Sequence, residues 1–153
     1  MDLKNNKFSE YNSIIKEYEM MYREAVKALG INDSAFWILY TLRDEGEGIT
    51  QKDIVNINYL PPQTINSELK KLEKDGYIKL ISGTDKRTKQ VYLTEKGSAL
   101  SERTAGKMMD IEKRAMNFLS EQELSEFLRI LRKYIIHLQQ LLDEMKNKEK
   151  FNE

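Results

Sequence analysis

Within residues 50–97, two helix-forming segments are followed directly by two short apolar runs. The second helical segment opens with Pro61-Pro62, and a proline in the first turn of a helix loses no hydrogen bond. The apolar runs, Tyr77 to Ile81 and Val91 to Leu93, have the composition of short β-strands. Between them, Ser82 to Lys89 combines turn-forming and basic residues. This order predicts two helices followed by a β-hairpin with a basic tip.

The second helical segment has one apolar and one polar face. Ile65, Leu69 and Leu72 recur at helical spacing, and Gly76 supplies a left-handed cap. The opposite face carries short polar side chains and lysines, namely Gln63, Asn66, Ser67, Lys70 and Lys71. Amides and hydroxyls can pair with base edges and lysines neutralise phosphate, so this face suits a helix in the DNA major groove. The competing interpretation is the ordinary solvated face of an amphipathic helix.

Positive charge is concentrated at the hairpin tip, although the formal net charge of the whole chain is zero. The basic residues Lys86, Arg87 and Lys89 lie beside a single acid, Asp85. A local basic patch, rather than the total charge, docks on DNA. The arginine suits the narrow minor groove, and Asp85 is expected to orient Arg87 or to cap the turn. A solvated turn is the alternative interpretation.

Helical patterns also surround this segment. Asn32-Asp33-Ser34 offers N-cap side chains for a helix from Ala35 to about Arg43. That helix is apolar nearly all round, which predicts that it is buried between others. Thr50 and Asp53 form a capping-box pattern for the first segment, and a further helical block runs from Thr94 to about Leu119.

Long helices are predicted at both ends of the chain. The apolar stripe of the first helix, which Gly30 ends, comprises Tyr11, Ile14, Ile15, Tyr18, Tyr22, Ala25 and Leu29. The last helix starts at a capping box of Ser120 and Glu123, and its stripe comprises Leu124, Phe127, Leu128, Leu131, Ile135, Leu138, Leu142 and Met145. A two-fold dimer would cover both stripes and hold two recognition helices about 34–36 Å apart. A monomeric helical bundle is the alternative.

The ordered set of motifs resembles the MarR-type (multiple antibiotic resistance regulator) family of winged helix-turn-helix transcription factors. The matching segments are residues 49–54, 63–78, 85–89 and 91–97, including a D-x-R wing and an L-T-x-x-G exit. The resemblance implies a mainly α chain with a small β-hairpin and long N- and C-terminal dimerisation helices. It implies a winged helix-turn-helix DNA-binding lobe at residues 33–97 of a single chain 1–153, with a helical dimerisation region formed by residues 1–30 and 98–147.

Further expectations follow from this resemblance. It implies a homodimeric repressor on a double-stranded, pseudo-palindromic operator, released by a small aromatic or anionic effector. The implied DNA-binding residues are Gln63, Thr64, Asn66, Ser67, Lys70, Lys71, Asp85, Lys86, Arg87 and Lys89. One departure is Pro61-Pro62, because the family often has serine or another cap at this point. Another is the absence of cysteine, which excludes the thiol-oxidation switch of some relatives.

An effector pocket is predicted near the hinge between the lobes. Its candidate lining residues are Tyr11, Tyr18, Tyr22, Trp37 and Tyr40. A ligand there would lower DNA affinity if it preferred one of two conformations. The alternative is that these aromatic residues belong to the core.

Composition excludes several other classes. Without cysteine there is no disulfide framework or thiolate zinc site, and a single histidine, His137, has no catalytic partner in the sequence. We therefore expect no catalytic residue, no metal and no cofactor. The chain has no long apolar run and no signal-peptide pattern, which predicts a cytoplasmic protein without a membrane partner. The alternative function is a winged-helix protein-interaction module or a nonspecific architectural DNA-binding module, and Arg87 favours DNA.

Overall fold

The computed structural model describes residues 3–58, 60–83 and 88–150, which form two compact units, one ending at Met109 and one starting at Asp110. The elements in chain order are α1 Leu3–Ala28, α2 Asp33–Glu45, α3 Gln51–Asn58, α4 Pro62–Lys74, β1 Ile78–Ser82, β2 Lys89–Leu93, α5 Glu95–Ser101, a π-helical turn Glu102–Gly106, α6 Lys107–Met116 and α7 Glu121–Lys150. Helices dominate and the strands form one hairpin, which confirms the predicted fold class. Within the described ranges, no helix is both long and apolar enough to cross a membrane.

Side-chain caps fix where three helices begin. The Asn32 side chain accepts from a first-turn N–H of α2 at 2.9 Å. At α3, the Thr50 N–H donates to the Asp53 carboxylate at 2.9 Å and the Asp53 N–H donates to the Thr50 hydroxyl at 3.2 Å. Ser120 and Glu123 make the same reciprocal pair at α7, at 2.8 and 3.2 Å. The predicted capping boxes are confirmed, and each satisfies backbone donors that helix geometry leaves free.

Replacing Asp53 by asparagine is expected to lower stability at neutral pH but much less in acid. The Thr50 hydroxyl and N–H donate to the carboxylate and hold the pKa of Asp53 below its usual 3.8. This contribution to stability is present above pH 3.8 and is lost as the pH falls through the lower folded-state pKa. Urea unfolding of the parent and Asp53→Asn proteins should therefore show a difference in the free energy of unfolding that narrows below pH 3.8. A difference of constant size would contradict this role.

Helix α2 lies at the centre of the first unit. One side joins α3, α4 and the hairpin in a cluster of Ala35, Ile38, Leu42, Ile54, Ile65, Leu69, Leu72, Ile78 and Val91. The other side contributes Phe36 and Leu39 to a second cluster with Val26, Leu100, Ala105 and Met108. Phe36, Ile38 and Leu39 are fully buried, which confirms the predicted position of this helix between others. Burial of each such side chain stabilises the fold by about 1.5–3 kcal/mol. Because residues of α2 and α4 share one cluster, this burial fixes α4 against α2.

The hairpin has a third paired segment that the sequence pattern did not predict. Strands β1 and β2 are antiparallel, with Ile78 opposite Leu93. On the other edge of β2, the Gly48 N–H donates to the Val91 carbonyl at 2.9 Å, and the Val91 N–H donates to the Ile49 carbonyl at 3.0 Å. The residues before α3 therefore cover an edge of the hairpin that would otherwise be unpaired.

A π-helical turn interrupts the block in which the sequence pattern predicted one continuous helix. The Lys107 N–H bonds to the Glu102 carbonyl, five residues earlier instead of four. The buried Thr104 hydroxyl donates to the Leu100 carbonyl at 2.6 Å, a competing bond of the kind that bends helices. Helix α6 then ends at Met116, three residues before the predicted boundary.

Arg43 of α2 packs over this turn. A Cβ atom at position 106 would lie 2.9 Å from the Arg43 Cζ atom, so Gly106 leaves room for the guanidinium. The Arg43 Nη2 atom is 2.6 Å from a carboxylate oxygen of Glu102. The turn is thus in direct contact with the central helix.

Helix α7 has 30 residues and an apolar stripe along its length. Alternating spacings of four and three separate Leu124, Leu128, Leu131, Ile135, Leu138, Leu142 and Met145. Leu128, Ile135 and Met145 are 48%, 53% and 48% exposed. This is the heptad pattern of a helix that packs lengthwise against another helix. The predicted stripe is therefore present and solvent-exposed in a single copy of the chain.

Candidate nucleic-acid interface

Helix α4 presents the predicted polar face to solvent. Its apolar side is buried at Ile65, Leu69 and Leu72. On the outer side, Asn66 is partly buried, and the exposed residues are Gln63, Thr64, Ser67, Lys70 and Lys71. The fold thus brings all six predicted α4 side chains onto one accessible surface, which we call the α4 face.

Lys74 extends the α4 face and was missed in the sequence analysis. It is exposed and follows Gln63, Ser67 and Lys70 at spacings of four, three and four residues. Residues three and four apart are neighbours on a helix, so this spacing was a usable signal. The last two turns of α4 thus carry three cations, Lys70, Lys71 and Lys74, near the end where the helix dipole favours positive charge.

Two prolines determine how α4 begins. Pro62 is the first helical residue, and the Pro61 carbonyl accepts from the N–H groups of Thr64 and Ile65 at 2.9 and 3.2 Å. A proline at the cap position has no polar side chain to accept from the first turn. The first-turn donor of Gln63 is therefore available to an external acceptor such as a phosphate.

The other end of α4 is fixed by a glycine cap. Gly76 has φ 75°, and the following Tyr77 N–H donates to the Leu72 carbonyl at 2.8 Å. The Gly76 N–H donates to the Glu73 carbonyl at 3.0 Å, which completes a Schellman motif. This confirms the predicted left-handed cap and sets the direction in which the chain enters β1.

The segment that leaves the hairpin is bonded to this cap by Thr94 and Lys96, which we call the exit clamp. The Thr94 hydroxyl donates to the Gly76 carbonyl at 2.6 Å. The Lys96 ammonium donates to the Asp75 carbonyl at 2.7 Å and lies 4.3 Å from the Tyr77 ring centroid. These contacts were not predicted, although the L-T-x-x-G motif marks the segment. They hold the end of α4 to the base of the hairpin.

The hairpin tip is only partly described. Lys89 is exposed at the start of β2, and the Gly83 N–H donates to the Thr88 carbonyl at 3.0 Å. The predicted DNA-binding residues Asp85, Lys86 and Arg87 lie outside the described residues. Their roles stay predictions.

Three of the five predicted effector residues line one cavity of about 180 Å³ between α1 and α2. Its lining consists of Tyr18, Glu19, Tyr22, Arg23, Val26, Asp33 and Trp37. Tyr11 and Tyr40 are elsewhere. The Tyr11 ring stacks on Phe8 at 6.4 Å between centroids, and Tyr40 packs against Phe36 at 5.9 Å. The cavity thus combines three of the five predicted residues with three charged residues, Glu19, Arg23 and Asp33.

His137 lies on the exposed surface of α7, with its Nδ1 atom 3.2 Å from the Gln140 side-chain oxygen. Among the residues that the structure describes, no group of three or more His, Asp or Glu side chains is arranged to hold a metal ion.

Comparison with known proteins points to one family. A model described as the MarR family matches residues 29–88, which span α2, α3, α4 and the start of the hairpin. The HTH-type transcriptional regulator YwoH of Bacillus subtilis (strain 168) is 28% identical over 112 residues, covering 73% of this chain and 81% of YwoH.

Two solved structures have the same fold. NMB1585, a MarR family regulator from Neisseria meningitidis, superimposes with a TM-score of 0.72 at 23% identity, covering 94% of this chain and 99% of that chain. Streptococcus pneumoniae FabT in complex with DNA gives a TM-score of 0.67 at 19% identity, covering 90% and 99%. The motif order, the fold and the family match agree, and residues 29–88 of the chain match the MarR family of winged helix-turn-helix transcriptional regulators.

Proposed function

We propose that the protein is a sequence-specific, homodimeric transcriptional repressor that binds a pseudo-palindromic operator in the cytoplasm. Proteins of the MarR family are transcription regulators and not enzymes, in agreement with the prediction that no residue is catalytic. The observation that carries the proposal is the α4 face, where polar and basic side chains are exposed on a helix whose other side is buried.

The α4 face combines two kinds of DNA contact. Gln63, Asn66 and Ser67 have the short amide and hydroxyl groups that read base edges. Lys70 and Lys71 follow toward the C-terminal end, where they can reach phosphates. FabT, which shares this fold, was solved in complex with DNA, and this supports DNA as the partner.

The dimer proposal rests on the two long helices. Ile14 and Ile15 of α1 are 56% and 37% exposed, and most of the heptad stripe of α7 is exposed. A second copy of the chain offers the same stripes and can cover them by two-fold symmetry. We propose that residues 1–30 and 98–147 form this dimerisation region and that residues 33–97 form the DNA-binding lobe.

Effector control is the remaining part of the proposal. The aromatic cavity between α1 and α2 is next to Phe36 and Trp37 of the central helix, which also supports α4. A small ligand that binds more tightly to the conformation with low operator affinity would release the DNA.

The direct test is a fluorescence anisotropy titration with DNA from upstream of the coding region and random-sequence competitor. We expect Arg87→Ala to weaken operator binding by about 1–3 kcal/mol and Asn66→Ala to relax base preference. Lys70→Ala should weaken all DNA alike and flatten the salt dependence. The control is Lys133→Ala, an exposed lysine on α7, which should bind normally.

The outcomes separate the alternatives. Salt-sensitive binding that survives competitor, with one dimer per site, supports the regulator. Binding only without competitor indicates an architectural DNA-binding module, and no binding at low or high salt favours a protein-interaction module. Unchanged base preference in Asn66→Ala would show that the α4 face is not the reading surface.

A further inference from the structure

The cavity between α1 and α2 has a row of aromatic rings as one wall. Tyr22 is in the middle, with centroid distances of 4.7 Å to Tyr18 and 5.9 Å to Trp37. The Tyr22 and Trp37 rings are nearly parallel, at 18°. Ring faces carry negative electrostatic potential, and tryptophan attracts cations most strongly among the three ring types. This wall therefore suits a flat or rounded apolar group that carries positive charge.

The charged lining points in the same direction. Two carboxylates, Glu19 and Asp33, line the cavity together with one guanidinium, Arg23. Among the described residues, neither carboxylate forms an ion pair with Arg23, so neither negative charge is neutralised by a direct contact. Asp33 is also the first residue of α2, where an acidic side chain interacts favourably with the helix dipole. The net charge of the lining is thus negative.

We infer that this cavity binds a small organic cation, namely a quaternary or aromatic ammonium compound. The inference rests on the proposed function, in which occupancy of the cavity controls DNA binding. The family resemblance implied a small aromatic or anionic effector, and the inference excludes the anionic alternative. An anion would find one guanidinium but would face two carboxylates.

Binding in the cavity can be measured by intrinsic tryptophan fluorescence. Trp37 is the one tryptophan in the chain and lines the cavity, so its fluorescence reports occupancy directly. We would titrate the full-length protein with benzyltrimethylammonium. The controls are neopentylbenzene, which replaces the charged nitrogen by carbon, and phenylacetate, which reverses the charge. Saturable quenching by the ammonium at concentrations at which both controls are silent is the expected result. Equal or stronger binding of either control would overturn the inference.

Charge-removing variants test the sign of the electrostatic contribution. Glu19→Gln and Asp33→Asn should each weaken benzyltrimethylammonium binding about threefold to fivefold, the range for partly exposed charges. Arg23→Gln should strengthen it by a similar factor of about three to five, because a repelling charge is removed. Glu17→Gln, on α1 outside the cavity lining, is the matched control and should bind like the parent. If Glu19→Gln strengthened binding and Arg23→Gln weakened it, the cavity would be an anion site.

Operator binding by the same preparations keeps this inference separate from the proposed function. Protein that binds operator but shows no saturable response to the ammonium would refute the cation site and leave the regulator intact. Protein that binds the ammonium but no DNA would refute the regulator and leave the cation site standing. If both hold, benzyltrimethylammonium should weaken operator binding in the parent more than in Glu19→Gln.

Discussion

Alanine at position 97 is expected to lower the free energy of unfolding by about 3 kcal/mol or more, the upper range for overpacking of a buried site. Gly97 is buried, and an alanine Cβ would overlap the backbone carbonyl oxygen of Tyr77 and lie 2.8 Å from its carbon. Hydrogen bonds keep the backbone segments at Gly97 and Tyr77 from moving apart easily. The Gly97 N–H donates to the Thr94 side chain at 3.0 Å, and the Thr94 N–H donates to the Tyr77 carbonyl at 3.0 Å. Relieving the overlap would therefore loosen the exit clamp.

Urea unfolding followed by circular dichroism would measure this loss, with Gly83→Ala as the matched control. At Gly83, an added Cβ would make only an ordinary contact of 3.6 Å with the Thr88 carbonyl oxygen. Gly83→Ala should therefore unfold nearly like the parent protein. If Gly97→Ala were as stable as Gly83→Ala, the close approach of α5 to the base of the hairpin would be wrong.

Glutamate at position 135 is expected to convert the proposed dimer into monomers and to weaken operator binding by about a hundredfold or more, since each unpaired buried charge costs several kcal/mol. Ile135 is in the middle of the heptad stripe of α7. In a two-fold dimer the substitution occurs twice, so both copies would place a charge in the shared apolar interface. Sedimentation equilibrium and operator titration on the same samples would measure the two effects.

The neighbouring residue provides an unusually close control. Ile136 is 51% exposed and Ile135 is 53% exposed, but a single step along the helix turns the side chain by about 100° and off the stripe. Ile136→Glu should therefore remain dimeric and bind operator normally. Monomers from both variants, or dimers from both, would contradict the assignment of the stripe as the dimer interface.

Local sequence signals predicted the helix boundaries well where a side chain or a glycine ends the helix. Thr50 with Asp53 and Ser120 with Glu123 form the predicted caps, and Gly76 closes α4. These signals are reliable because the interacting groups are within a few residues of each other. The α4 face was equally predictable, since helical periodicity alone separates its polar and apolar sides.

Features that depend on distant residues could not be predicted in this way. The pairing of Gly48 and Ile49 with β2 joins positions more than 40 residues apart, and Glu47 accepts from the Leu93 N–H at 2.8 Å across a similar separation. The exit clamp likewise joins Lys96 to the end of α4. Periodicity reports which face of an element is apolar, but it carries no information about which backbone groups meet.

The cavity between α1 and α2 shows the same limit. Tyr11 shares the apolar stripe of Tyr18, but seven residues on a helix correspond to about 10 Å, which separates it from the cavity. Tyr40 packs against Phe36 and Trp37 without lining the cavity. The acidic residues Glu19 and Asp33 were missed because they lie on different helices and converge only in the folded protein. Three of the five predicted aromatic residues line the cavity, but the aromatic pattern indicated none of its charged residues.

The π-helical turn determines which side chains after it face the hydrophobic core. Such a turn accommodates one residue more than an α-helical turn, so every later side chain is rotated by about 100° relative to an uninterrupted helix. Met108, now 6% exposed, is buried only with that extra residue in place. Homologues that lack one residue between positions 101 and 107 would thus need a different hydrophobic pattern in α6. An alignment that slides a gap through this region without regard to the turn would compare buried positions with exposed ones.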